Sequence, residues 1–216
     1  MGIRSWIDPV YALCVGTPEV SVMEMAAAFS TFANRGVYTM PFFVTRIEDR
    51  QGNSISSFSP STKDVISENT AYTMLSMLQN NITSGTGGRL RYGYGVMGEV
   101  GGKTGTTNNN AASWFMGVAP KVVGATWIGG EERCTHLVNR GEGSVVALPV
   151  FGRFLNKLYK DPSTGIRPDD KFMEPVGVVH YDCDGGVNAA TQAGNAEGEQ
   201  PAVVEKESDE FNFFDN

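Results

Sequence analysis

The sequence predicts an α+β fold, a mainly antiparallel sheet with helices packed on it. Three observations lead there. Two runs of apolar residues, at 21–36 and 67–85, recur at helical spacing behind hydroxyl-bearing starts. Three apolar segments between 99 and 128 have strand length and are separated by turn-sized gaps. A third helical run follows near 150.

Each element has a local cause. Ser21 and Glu24 stand at capping-box spacing, so each side chain can satisfy a backbone donor at a helix start. Val22, Met25, Ala26, Phe29 and Ala33 then form the expected inward stripe, and Gly36 is placed to stop the helix. PFFVTRIED and SISSF flank Asp49-Arg50-Gln51-Gly52-Asn53, which reads as a hairpin with a glycine-containing turn. Ser67 is the expected cap of a second helix with Ala71, Met74, Leu75, Leu78 and Ile82 inward, ended by Asn80-Asn81 and Gly85. A glycine-rich loop, SGTGG and then RLRYGYGVMG, separates it from strands expected at Glu99–Thr106, Ser113–Ala119 and Val122–Ile128. Pro120-Lys121 is short enough for a hairpin, so the last two strands should be antiparallel neighbours. Val150–Tyr159 should be a helix with Val150, Phe151, Phe154, Leu155 and Leu158 inward and Pro149 in its first turn.

The bulk numbers divide the chain. Of 216 residues, 1–160 carry 14 Lys+Arg against 11 Asp+Glu, a charge of +3, whereas 161–216 carry 3 against 13, a charge of −10. The acidity belongs to the tail. From Gly185 onward the composition offers almost nothing large to bury, so 1–184 reads as the folded part and 185–216 as an acidic disordered tail. Phe211, Phe213 and Phe214 read as part of that frayed end. No clustered basic face suggests nucleic acid. No stretch approaches the ~20 apolar residues of a membrane span, and no leader is visible, so the chain alone reads as soluble. Trp6, Val10, Tyr11 and Leu13 come with little polar lead-in, as expected of a piece of something longer. Cys14, Cys134 and Cys183 are an odd count without metal or disulfide spacing. Cys14, within ALCV, is expected to be a small core residue, and Cys134-Thr135-His136 is too few groups for a metal site. No metal and no cofactor are expected.

The chemistry concentrates at Gly101–Pro120, GGKTGTTNNNAASWFMGVAP. A P-loop would need a glycine five residues before the one preceding Lys103, and that position is Met97. A P-loop lysine also opens a helix, which Gly105 and the Asn108-Asn109-Asn110 run disfavour. An acyl-transfer wall fits better. The ammonium of Lys103 favours an anionic substrate. Thr104 and Thr106, two apart on a strand, can show their hydroxyls on one face. Gly105 lets a substrate backbone approach, and a backbone N–H of such a strand can face a developing oxyanion. Trp114, Phe115 and Trp127 are expected in the core.

K-T-G accompanies S-x-x-K and S-D-N in penicillin-binding proteins and related β-lactamases. With VGTPEVSVMEMAAAFSTFANRGVY at 15–38, SGTGG at 84–88, WFMGVAP at 114–120 and WIGGEE at 127–132, residues 10–160 resemble the transpeptidase domain of class A, bifunctional penicillin-binding proteins. The resemblance implies a part of the penicillin-recognising serine transpeptidase and β-lactamase-like fold. It implies D,D-transpeptidation of peptidoglycan stem peptides, acylation by β-lactams, and an extracytoplasmic location with membrane anchoring through an upstream region. It assigns Lys103 the catalytic role and Thr104, Gly105 and Thr106 substrate binding.

The departures are specific. No lysine here has a serine three residues before it, so the S-x-x-K nucleophile is absent from this sequence. The one S-x-N, Ser67-Glu68-Asn69, lies downstream of VGTPEV and reads as a helix cap. Ala111-Ala112-Ser113 stand where the family often has an acid before the W-F strand. The expectation is a transpeptidase piece, inactive alone, that works with the upstream half of the same protein. The alternative is a non-catalytic binding or scaffolding module that keeps only the cleft wall. A β-lactamase-like hydrolase fares worse, since it too needs the serine.

Overall fold

The computed structural model describes residues 1–132, 134–137 and 139–178. Chain order runs through α1 (Val22–Ala33), β1 (Val37–Thr39), β2 (Arg46–Glu48), β3 (Ser54–Ser57), β4 (Thr62–Asp64), α2 (Glu68–Ser84), α3 (Arg89–Tyr92), β5 (Gly101–Thr106), β6 (Ala112–Ala119), β7 (Val122–Gly129), α4 (Gly143–Val146) and α5 (Leu148–Lys160). The central sheet has the order β5-β6-β7, and both pairings are antiparallel. Helices pack against it, so the α+β architecture expected from the sequence is the one observed. The expected tail at 185–216, with Cys183 and the terminal phenylalanines, lies outside the described residues.

The caps explain where the helices start. Ser21 Oγ accepts from the Glu24 N–H while the Glu24 carboxylate accepts from the Ser21 N–H, the full capping box. Glu24 also receives the Arg4 and Ser5 backbone donors and the Ser5 hydroxyl, which ties the N-terminal segment to α1. Ser67 Oγ accepts from the Thr70 N–H at 3.2 Å, so this serine is the cap it was expected to be. Gly36, at φ +88°, closes α1, and a Cβ there would lie 2.2 Å from the Ile66 carbonyl oxygen.

The hairpin at β2–β3 forms around Asp49, whose carboxylate accepts from the Gln51 and Asn53 N–H groups. Its first strand is shorter than PFFVTRIED suggested. Val37–Thr39 pairs instead with Thr62–Asp64, a contact between segments that carry no mutual signal in the sequence. The short helices α3 and α4 were also unforeseen, being single turns in glycine-containing stretches.

Two apolar clusters fill the two sides of the sheet. One joins Phe115 and Ala119 to Ile82, Leu90, Val96, Phe151 and Leu155. The other joins Val118 to Leu75, Leu78 and Phe172, with Phe29 and Phe32 against it. Phe151 approaches so closely that a Cβ on Gly117 or Gly124 would lie 2.4 or 2.6 Å from its ring. Residues beyond α5 return over the β6–β7 turn. There Lys121 pairs with Asp170 (2.6 Å), Lys171 with Glu99 (3.1 Å), and the Phe172 N–H donates to Glu99 (2.7 Å). Burial pushes the Tyr72 phenol under this strap up to about 12, with the charge of Glu174 adding to it.

Several inward assignments fail in an informative way. Cys14 is exposed, because Tyr11–Val15 forms a short 3-10 turn with no buried residue. Val22 of α1, Met74 of α2, and Val150 and Phe154 of α5 all sit on outward faces. The buried positions of α1 are Ala27, Ala28 and Thr31, because small residues let that helix approach its neighbours closely. Trp127, expected in the core, is 40 % exposed on the edge strand β7. Among the described residues no helix is long and apolar enough to cross a membrane.

Candidate functional site

The K-T-G residues lie on β5, an edge strand paired only to β6 within its sheet. The register sets Lys103 opposite Met116, Thr104 opposite Phe115, Gly105 opposite Trp114 and Thr106 opposite Ser113. Alternation along the strand therefore puts Thr104 and Thr106 on one face and Lys103 on the other. Lys103 is exposed and its Nζ donates to the Thr104 carbonyl at 2.6 Å. Among the described residues no carboxylate pairs with it, so its charge is available to an anion. A Cβ on Gly105 would stand 3.2 Å from Trp114 Cβ, so this glycine also serves packing on its own sheet.

The two hydroxyls are held differently. Thr106 Oγ1 accepts from the Gly143 N–H at 3.0 Å, which leaves the Thr106 proton to be donated elsewhere. Thr104 Oγ1 is 2.7 Å from Thr86 Oγ1 of the SGTGG loop. Behind Thr106, the start of α4 presses on the strands. A Cβ on Gly143 would lie 2.4 Å from the Trp114 carbonyl oxygen and 2.5 Å from that of Gly105. Ser113, fully buried, donates its hydroxyl to the Gly141 carbonyl. Thr107 Oγ1 accepts from the Ala112 N–H at 2.7 Å and closes the turn that Asn109 and Asn110 make at positive φ. Lys103 lies within β5, which leads into a 3-10 turn at Asn108–Asn110 and not into the N-terminus of an α-helix, the opposite of a P-loop lysine.

Other groups singled out in the sequence do not join this wall as reactive groups. Ser67 shares its hydroxyl with Thr70, and its neighbour Glu68 is committed to an ion pair with Arg35. His136 Nδ1 lies 2.9 Å from the Cys134 carbonyl oxygen. Among the described residues no group of three or more His, Cys, Asp or Glu could hold a metal ion. Sequence reasoning missed Asn81, Thr86 and Gly143. SGTGG was visible as a stretch, but nothing local assigned its threonine a partner eighteen residues away.

Comparison with known proteins gives a consistent result. The family model "Penicillin binding protein transpeptidase domain" matches residues 3–155. The chain is 29% identical over 167 residues to Penicillin-binding protein 1A of Aquifex aeolicus, covering 76% of this chain and 22% of the relative. It is 34% identical over 194 residues to Penicillin-binding protein 1A/1B of Bacillus subtilis, covering 83% of this chain and 20% of the relative. The chain thus spans about a fifth of the length of these curated relatives. Among solved structures, Penicillin-Binding Protein 1A from Haemophilus influenzae superposes with a TM-score of 0.70 at 23% identity, over 79% of this chain and 30% of that one. PonA1 from Mycobacterium tuberculosis in complex with penicillin V gives 0.65 at 20% identity, over 82% of this chain and 50% of that one. At those identities the superpositions speak for the fold.

Proposed function

The chain belongs to the penicillin-binding protein transpeptidase family, with class A members among its relatives, and from that premise we propose that it is the K-T-G-bearing part of a peptidoglycan D,D-transpeptidase. In this reading the upstream half of the same protein supplies the serine of S-x-x-K and the S-x-N motif, and anchors the assembly at the extracytoplasmic face of the membrane. The substrates are stem peptides of peptidoglycan, and β-lactams acylate the same serine. Lys103 supplies a fixed positive charge beside the acylated centre, Thr106 donates its hydroxyl to an anionic group of the substrate, and Thr104 and Gly105 shape the wall.

One observation carries the reading. The K-T-G segment is an edge strand whose lysine pairs with no carboxylate among the described residues, and its two hydroxyls are oriented by the SGTGG loop and by the start of α4. A second supports the need for an upstream half. Phe42, Phe43, Met40, Val22 and Met23 are exposed, several of them beside the β7 edge in a groove lined by Val122, Val123 and Ala125. An apolar groove beside an open strand edge is a surface that proteins normally cover.

Labelling with a fluorescent penicillin, denaturation and intact-mass measurement test this. The 216-residue chain should carry no covalent adduct, since acylation needs an activated nucleophile beside a base. The chain continued by its upstream half should take up one equivalent on the S-x-x-K serine. A stoichiometric adduct on the 216-residue chain alone would overturn the assignment of the nucleophile.

A further inference from the structure

The loop Ser84-Gly85-Thr86-Gly87-Gly88 folds back against the last turn of α2. Asn81, in the last turn of α2, donates its side-chain Nδ2–H to the Gly102 carbonyl of β5 at 2.7 Å. A carbonyl only accepts, so the amide nitrogen faces the strand and Oδ1 faces away from it. That oxygen receives the Thr86 hydroxyl at 3.2 Å. Thr86 Oγ1 also lies 2.7 Å from Thr104 Oγ1, a bond in which either hydroxyl can donate.

The glycines permit this arrangement. A Cβ on Gly85 would lie 2.4 Å from Asn81 Oδ1, and one on Gly87 would lie 2.4 Å from Ile82 Cδ1. Both backbone N–H groups donate to the Asn81 carbonyl, at 3.1 and 3.2 Å. The loop is thus folded tightly back over Asn81, and Thr86 is the side chain it delivers to the strand.

We propose that Asn81 and Thr86 are positioning residues of the K-T-G wall, a hydrogen-bond relay that ties β5 to α2 and holds the Thr104 hydroxyl in one orientation. This rests on the transpeptidase reading above. The relay makes the two threonines unequal: Thr104 shares its hydroxyl with Thr86, while Thr106 accepts from the Gly143 N–H and keeps its own proton to donate.

The test has two arms. In the 216-residue chain, three-bond NMR couplings report the Thr104 side-chain rotamer. A single rotamer is expected in the wild type and in Thr86→Ser, and averaging in Thr86→Val, which keeps the shape and cannot accept. In the chain joined to its upstream half, acylation by benzylpenicillin should slow roughly tenfold in Thr86→Val, the scale of one lost neutral hydrogen bond. Thr86→Ser should restore the rate. Gly85→Ala, whose added Cβ would lie 2.4 Å from Asn81 Oδ1, should reproduce the slow phenotype. An unaltered Thr104 rotamer in Thr86→Val overturns the relay. An unaltered acylation rate in Thr86→Val, alongside a crippled Lys103→Ala, overturns the positioning role and leaves the transpeptidase reading intact. Unaltered rates in both variants overturn the positioning role and remove Lys103 from the mechanism, whereas a joined chain that takes up no benzylpenicillin overturns the transpeptidase reading.

Discussion

Gly143→Ala should weaken the fold through a clash behind the candidate site. The added methyl would meet two main-chain oxygens, those of Trp114 at 2.4 Å and Gly105 at 2.5 Å. Neither oxygen can swing aside as a long side chain could, so α4 must move off the strands. Overpacking of this kind costs about 1–3 kcal/mol. The movement also stretches the Gly143 N–H bond to Thr106, worth about 1 kcal/mol. A total of about 2–4 kcal/mol follows, and with a urea slope of about 2 kcal/mol per M the unfolding midpoint should fall by about 1–2 M. Urea titration followed by far-ultraviolet circular dichroism measures it. Gly52→Ala is the control. Gly52 has φ +86° with nothing within 4 Å of a built Cβ, so alanine there incurs only the left-handed backbone cost of about 1–2 kcal/mol. A Gly143→Ala shift no larger than that of Gly52→Ala would refute the argument that contact with the strands dominates.

Further outcomes follow from the same geometry. In the complete transpeptidase, Lys103→Ala should reduce the acylation rate roughly 10²–10⁴-fold, the scale of a placed proton-transfer or charge-stabilising group, while truncation after Gly185 should leave it unchanged. Labelled-penicillin kinetics decide this, and a near-normal rate in Lys103→Ala would remove that residue from the mechanism. Acid should weaken the fold. Glu24 is held below the usual carboxylate range first by the Ser5 hydroxyl, Glu68 first by its bond to Arg35, and Asp170 first by its bond to Lys121. Their folded-state values are depressed, so their contribution is present above the ordinary carboxylate range and is lost as pH falls below ~4. Thermal melts from neutral to acid pH should show Tm dropping only in that lower window, and a flat Tm there would count against these bonds.

The sequence by itself determined the elements whose causes are local. The Ser21–Glu24 capping box, the Ser67 cap, the Pro120-Lys121 connection and the strand alternation around Gly105 depend on residues a few positions apart, and all appear where the pattern placed them. The K-T-G run was legible for the same reason, as a short stretch whose chemistry lies in consecutive residues. What only the tertiary structure decided are relations between distant segments. The pairing of Val37–Thr39 with Thr62–Asp64 depends on two runs meeting across a hairpin. The partners of the site hydroxyls, Thr86 and Gly143, lie eighteen and thirty-seven residues from the threonines they orient. Helical periodicity found the stripes of α1 and α5 but not which part of each is covered. Val22, Val150 and Phe154 are apolar and face outward, and Cys14 lies exposed on a 3-10 turn. Periodicity records which residues share a face; only packing decides whether anything lies against it.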